Sequence, residues 1–350
     1  LMNFEDRKDF LLKTAPWCLD HLEIRSSEII LSGWVVPQNG NWGSVKFFIN
    51  EKPCEVELKM DRSDLLDVFP FWTGVKKSGF QIKIKIQSLD SNEEMVVLSR
   101  SPNSTETKYS NYYFPINEEF YKNLPSAYLR TQVHGSDSIS SYVLEGFSAH
   151  KKLEFLFQEH LGRNKDKIAP MLDWGCGCGR VCKYFLNNNR IYGVDINKDG
   201  VDWCLENISS NFSVSELNPP LSFEDNYFEA IYGVSILTHL SLEDQRCWIE
   251  ELIRITRPGG IIVLSYHGLN SLIRFNLPEE SFNELNKSTY LNIGKSDSLG
   301  KDSEVGSKYY DSVQLASSFD KIIPKYRTEV LFHESVFGNH QDVVVIKKNS

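Results

Sequence analysis

The stretch MLDWGCGCGRVC, residues 171–182, decides how this chain is read. A short apolar run, IAPMLDW, leads into it, and Gly175, Gly177 and Gly179 then alternate with Cys176 and Cys178. Glycines at such a point let the backbone turn sharply and approach a ligand with no Cβ in the way. Four readings compete: a metal knuckle, a redox dithiol, a nucleotide loop and a plain structural turn. Cys176, Cys178 and Cys182 lack C-x-x-C spacing and have no nearby histidine, so neither a zinc site nor a dithiol pair is expected, and no metal is assigned. The dinucleotide fingerprint G-x-G-x-x-G fails because the sixth position from Gly175 is Arg180, and no Gly-Lys-Ser/Thr follows to make a phosphate loop. A plain turn stays open on the loop alone.

Working outward, the neighbouring segments alternate between strand and helix patterns. IAPMLDWG reads as a strand, RVCKYFL as a helix whose free N–H groups start near Arg180, and RIYGVDI as a strand ending in Asp195. VDWCLENI is the next helix, FEAIYGVS a strand, and LEDQRCWIEELIRIT a helix closed by Pro258-Gly259-Gly260 before the strand GIIVLSY. TEVLFHES and QDVVVIKK, joined by VFGNH, read as a hairpin. Such alternation implies a mostly parallel sheet covered on both faces. Adjacent parallel strands would set Asp195 beside the glycine loop, where a carboxylate can accept two ribose hydroxyls.

Residues 15–100 look different. HLEIRSSEIILSGWVV, SVKFFINEKPCEVEL and GFQIKIKIQS alternate apolar and polar residues between turn-rich pieces, which suggests a small β-sandwich or barrel. The organisation expected is an N-terminal segment at 1–14, a sandwich-like accessory domain at 15–100, a polar linker at 101–124 and an α/β domain at 125–350. A long helix is expected over 140–161, with Val143, Phe147, Leu153 and Phe157 on one face. A formal charge of -9 disfavours a phosphate-tracking nucleic-acid binder. No window approaches the roughly 20 apolar residues that span a bilayer, and the first residues lack a signal-peptide core. Seven cysteines without framework spacing fit reduced thiols, so the cytoplasm is the expected location.

The order of pieces beyond residue 125 resembles the S-adenosylmethionine-dependent methyltransferases of the Rossmann-like class. It runs D-x-G-x-G-x-G from Asp173, the strand-ending Asp195, P-L-x-F-x-D-x-x-F-E-x-I from Pro220, T-H-L from Thr238 and R-P-G-G from Arg257. The CGCGR spelling, the THL and GNHQD from Gly338 resemble one bacterial subgroup found beside glycan-assembly enzymes, and GWVVPQNG and VKFFINEKP loosely resemble their accessory β-domains. The fold implied is a Rossmann-like sheet, parallel with a C-terminal antiparallel hairpin.

The resemblance also implies a cofactor, S-adenosylmethionine, and a set of residues around it. Gly175, Gly177 and Gly179 would pass beneath its methionine moiety, with Asp173 near the ammonium. Asp195 would take the ribose hydroxyls, while Leu217 and Asn218 flank the adenine and Ser235 closes the site from the next strand. Glu229 and Ser222 depart from the common pattern away from the ligand. A cofactor that carries a sulfonium, an ammonium and no phosphate suits an acid in the loop.

Ligands of open α/β sheets gather at the carboxyl ends of the parallel strands. His239, His267 and His340 should fall around that mouth, and a base is needed to remove a proton from an acceptor hydroxyl. The order of preference is His340, His267, His239; the plain alternatives are that His239 caps the following helix and His340 only holds the hairpin. Upstream, Arg130 or His134 is a candidate to cover the cofactor, and the polar stretch 293–311 a candidate lid. The expected function is methyl transfer to a hydroxyl of a sugar or surface glycan, in association with glycan-assembly enzymes. Two alternatives stay open: a small-metabolite O- or N-methyltransferase, and a non-catalytic glycan-binding or scaffold protein.

Overall fold

Period-two alternation in the first third of the chain becomes two antiparallel sheets. The computed structural model describes residues 4–89, 93–101, 108–164, 167–185, 190–275, 277–295 and 310–349. Helix α1 (Phe4–Thr14) precedes eight strands: β1 (Trp17–Ile24), β2 (Glu28–Val35), β3 (Lys46–Ile49), β4 (Lys52–Pro53), β5 (Glu57–Met60), β6 (Gly79–Lys85), β7 (Met95–Ser101) and β8 (Tyr112–Pro115). They pair in the orders β1-β2-β6-β5 and β4-β3-β7-β8. Trp17, Leu31, Phe80, Phe47, Leu98 and Phe114 from both sheets share one core, so the unit is a sandwich. Trp17 fixes the packing, with its ring edge-on to Tyr112 and Phe47 at centroid distances of 4.9 and 5.6 Å.

Strand β8 lies inside the stretch read as a linker. All four of its residues are buried, and its aromatic run completes the second sheet despite the polar residues around it. SVKFFINEKPCEVEL runs through β3, β4 and the start of β5, and Asn50 and Glu51 adopt positive φ where the chain turns from β3 to β4. By internal contacts the chain divides into two units: residues 1–124 with 138–148 and 272–283, and residues 125–137 with 149–271 and 284–350.

The second unit holds the seven-stranded sheet. Its strands are β9 (Met171–Trp174), β10 (Ile191–Asp195), β11 (Phe212–Val214), β12 (Phe228–Gly233), β13 (Thr256–His267), β16 (Thr328–Phe337) and β17 (Gln341–Lys348); β14 (Tyr290–Lys295) and β15 (Tyr310–Gln314) pair separately. The helices are α2 (Ala127–His134), α3 (Ile139–Leu161), α4 (Lys198–Asn207), α5 (Leu242–Ile255), α6 (Leu269–Leu272) and α7 (Glu279–Ser288), with α3 and α7 shared between the two units. The order is β11-β10-β9-β12-β13-β17-β16, parallel from β11 to β13 and antiparallel at β17 and β16. This is the expected Rossmann-like sheet with its closing hairpin. Val343, Val344, Val345 and Ile346 of β17 are all fully buried, the mark of a strand covered on both faces. Each such side chain contributes roughly 1.5–3 kcal/mol, so Val344→Asp would break the sheet.

Two local expectations are corrected, and one is met. The segment after the glycine loop is, among the described residues, a series of turns and a 3-10 helix, Cys182–Phe185, rather than an α-helix from Arg180. The helix α5 ends at Ile255, and Pro258-Gly259-Gly260 lies in an irregular start of β13. At the far end of the sheet from the loop, Glu229 is buried, binds Arg257 at 2.6 Å and accepts the Ala169 N–H at 3.0 Å, which makes its place structural.

Candidate active site

Sheet register brings the loop and the acid together. Gly193 and Val194 of β10 stand opposite Asp173 and Trp174 of β9, so Asp195 comes level with Gly175. The Gly177 N–H donates to Asp195 Oδ2 and the Asn197 N–H to Oδ1, each at 2.7 Å. A carboxylate oxygen has two lone pairs, and these bonds use one on each. Gly175, Gly177 and Gly179 have φ of 79, 53 and 76°, which L side chains rarely adopt. A Cβ at Gly175 would stand 2.1 Å from Ile236 Cδ1, and one at Gly177 2.7 Å from Val133 Cγ2.

A cavity with ≈ 700 Å³ of space, mouth included, opens beside this contact. Trp174 and Gly175 come to it from the end of β9, Val194 and Asp195 from β10, and Leu217 and Asn218 from the segment after β11. Ile236, Leu240 and Trp248 add an apolar wall. Asp195, Glu216 and Asp244 line it, whereas none of the described Lys, Arg or His residues does. An acid-lined cavity with apolar walls favours a cationic ligand with flat apolar parts and opposes a phosphate. S-adenosylmethionine fits that donor set.

The placement of the other candidates is uneven. Gly175, Asp195 and Asn218 share the cavity; Asp173, Gly177, Gly179 and Ser235 do not line it. Asp173 is 4 % exposed, and burial drives its carboxyl up to about 7, partly offset by the Tyr232 hydroxyl and the Cys182 thiol. Burial also raises Asp195 above the usual aspartate range, with the Asn197 and Gly177 N–H groups pulling the other way. Arg130 does not reach the cavity. Its guanidinium donates to the Asp137 and Pro125 carbonyls and clasps the loop around α2. Most of the stretch 293–311, residues 296–309, lies outside the described residues.

At the carboxyl end of β13, a side-chain network takes over. Ser235 N–H donates to Ser265 Oγ at 2.7 Å, Ser265 Oγ donates to Gln341 Oε1 at 2.7 Å, and Gln341 Nε2 donates to Ser235 Oγ at 2.7 Å. This closed ring holds Ser235 at a φ of 64°, an unusual conformation for a side-chain-bearing residue. Gln341 Nε2 also stands 3.4 Å from His267 Nε2, and the His267 and His340 rings are 6.0 Å apart. His267 Nδ1 faces the Ser312 carbonyl at 3.2 Å and His239 Nδ1 the Tyr310 carbonyl at 3.1 Å, both on β15; His340 Nδ1 faces its own hairpin at Gly338 O, 3.0 Å away. A carbonyl only accepts, so in each neutral ring Nδ1 carries the proton and Nε2 the lone pair. Ser241, not His239, caps α5, accepting the Asp244 N–H at 3.1 Å.

Asp244, Trp248 and Asp342 escaped the sequence reading. Asp244 and Trp248 reach the cavity from the first turns of α5, a placement with no local motif. Asp342 is 7 % exposed, accepts the Ser335 N–H at 2.8 Å, and is pushed up to about 7 by burial. Its position within GNHQD was the available signal.

Residues 172–264 match the family model described as "Methyltransferase domain". The chain is 32 % identical over 99 residues to a tRNA (carboxymethyluridine(34)-5-O)-methyltransferase of Arabidopsis thaliana, covering 28 % of this chain and 24 % of that one. It is 26 % identical over 183 residues to a malonyl-[acyl-carrier protein] O-methyltransferase of Buchnera aphidicola, covering 51 % and 71 %. Among solved structures, a SAM-dependent methyltransferase from Methanosarcina mazei matches with a TM-score of 0.39 and 19 % identity, over 51 % of this chain and 92 % of that one. The chain thus spans about a quarter of the length of the plant relative. The matched residues 172–264 lie in the Rossmann-like sheet, and the cofactor that the match implies is S-adenosylmethionine.

Proposed function

We propose that the protein moves a methyl group from S-adenosylmethionine to an acceptor hydroxyl, that of a sugar or surface glycan. The observation that carries the cofactor half is Asp195, bonded to the glycine loop at Gly177 while lining a cavity whose charged lining residues, among those described, are all acidic. In this reading the remaining lone pairs of Asp195 take the ribose hydroxyls and Asn218 meets the adenine edge. Gly175, Gly177 and Gly179 run under the methionine moiety. Asp173 and Ser235 act one layer back, as support for the loop and for the end of β12.

The bound cofactor supplies an electrophilic methyl on a sulfonium. The chain's own task is then to align the acceptor and take its proton. His340, His267 and His239, in that order, are the proposed bases, each acting through Nε2; the Nδ1 hydrogen bonds to carbonyls support that assignment. A small-molecule or carrier-bound acceptor is the second reading, favoured by the malonyl-[acyl-carrier protein] relative that covers 51 % of this chain. All seven cysteines are free thiols, which supports a reducing compartment such as the cytoplasm. No described helix is long and apolar enough to cross a membrane.

Calorimetry with S-adenosylhomocysteine tests the first half: micromolar binding is expected, and none at high micromolar ligand removes the enzyme reading. Transfer of labelled methyl to a panel of sugar, acyl-carrier and amine acceptors tests the second. Label on amines or acyl carriers alone would reject the glycan assignment.

A further inference from the structure

Away from the cofactor cavity, the last turn of α3 and the middle of β16 bring three ligand-type side chains together. His160 Nε2 and His333 Nε2 are 2.9 Å apart, and His160 Nε2 is 4.0 Å from Glu159 Oε1. The donor atoms of all three residues lie within 4.8 Å of one another. The His160 side chain is 11 % exposed and that of Glu159 41 %, so the cluster is reachable at the surface yet held at its base.

We propose that Glu159, His160 and His333 form a binding site for a divalent d-block cation of the copper(II) or nickel(II) class. Donors about 2.05 Å from one ion stand about 2.9 Å apart when cis and about 4.1 Å apart when trans. The 2.9 Å between the two Nε2 atoms and the 4.0 Å from His160 Nε2 to Glu159 Oε1 lie near that pair. Tetragonal nitrogen and oxygen coordination is the preference of copper(II) and nickel(II). The chemistry is balanced simply. Of two facing neutral imidazoles one carries its proton on Nε2 and the other a lone pair there; when the ion enters, that proton passes through solvent to Nδ1 of the same ring, so both Nε2 lone pairs become ligands and no net proton is released. The Glu159 carboxylate offsets part of the ion's charge, and water completes the coordination. Bound metal would cross-link the end of α3 to the edge strand of the sheet.

The test is titration of the untagged, chelator-treated protein with copper(II), nickel(II), zinc(II) and magnesium(II) by calorimetry, with electron paramagnetic resonance of the copper form. One copper per chain at micromolar affinity or better is expected, with nitrogen hyperfine structure from two imidazoles, weaker nickel and zinc binding, and no response to magnesium. His333→Gln and His160→Gln, on different elements, should each weaken copper at least about 30-fold while melting cooperatively, and Glu159→Gln should weaken it a few-fold. Absence of stoichiometric copper binding by the wild type overturns the proposal. So does undiminished affinity in either folded histidine variant, which would assign the copper to other donors.

Discussion

The two halves of the sheet's carboxyl edge are built on different principles. Around β9 and β10 the working parts are backbone: a loop of positive-φ glycines and two N–H groups fixed on one carboxylate. Around β12, β13 and β17 they are side chains, with Ser235, Ser265, Gln341 and His267 in one hydrogen-bonded set drawn from positions up to 106 residues apart. Backbone geometry is written locally, because glycine spacing and a strand-ending acid lie within one short stretch of chain. A side-chain ring is written nowhere in particular. The first half therefore tolerates little change of residue type, and the second should tolerate change that keeps its hydrogen bonds.

That contrast can be broken most directly at Asp195. Asp195→Ala removes the acceptor of two backbone N–H groups as well as the proposed ribose contacts. Calorimetry should then show S-adenosylhomocysteine affinity down by about 100-fold, near 3 kcal/mol; an affinity like the wild type's would sink the ribose role. On the other side, His340→Ala and His267→Ala should leave cofactor affinity within about twofold while turnover falls roughly 10- to 100-fold. Full activity in one of them clears that residue of the base role.

Smaller effects sharpen the same comparison. Gly177→Ala meets Val133 and an unfavourable φ, so it should cost about 1–3 kcal/mol in thermal unfolding. Adding Val133→Ala should recover the steric part and leave the backbone part; complete recovery would mean the φ is not a constraint. The last prediction is a pH slope. Asp173 and Asp342 are both held near 7 by burial, so between about pH 4 and 7 the native state keeps protons that the unfolded chain has released. Stability must then fall as pH rises through that window, by at most about 1.4 kcal/mol per pH unit and group. Asp342→Asn should flatten the denaturation midpoint against pH, and an unchanged slope would contradict the assignment.

The sequence alone shows the sheet, its hairpin and the meeting of Asp195 with the glycine loop, because each rests on short-range pattern. Where the apolar spacing after Gly179 suggests an α-helix, the described residues form turns and a 3-10 helix, Cys182–Phe185. Strand β8 is hidden by the polar residues before it, although three adjacent aromatic side chains outweigh them. Asp244 and Trp248 were not legible, since helix α5 brings them to the cavity only once it has packed on the sheet. The closed ring through Gln341 was equally hidden. Only the fold joins Ser235, Ser265 and Gln341.

Strand β15 has a wider reach than its five residues suggest. Its Tyr310 and Ser312 carbonyls anchor His239 and His267, and the Ser312 hydroxyl bonds the Leu237 and Thr238 carbonyls beyond β12. Any molecule that nudges this ribbon on docking would tug both imidazoles in a single stroke. Arrival of an acceptor should consequently register as simultaneous chemical-shift changes in two histidine rings.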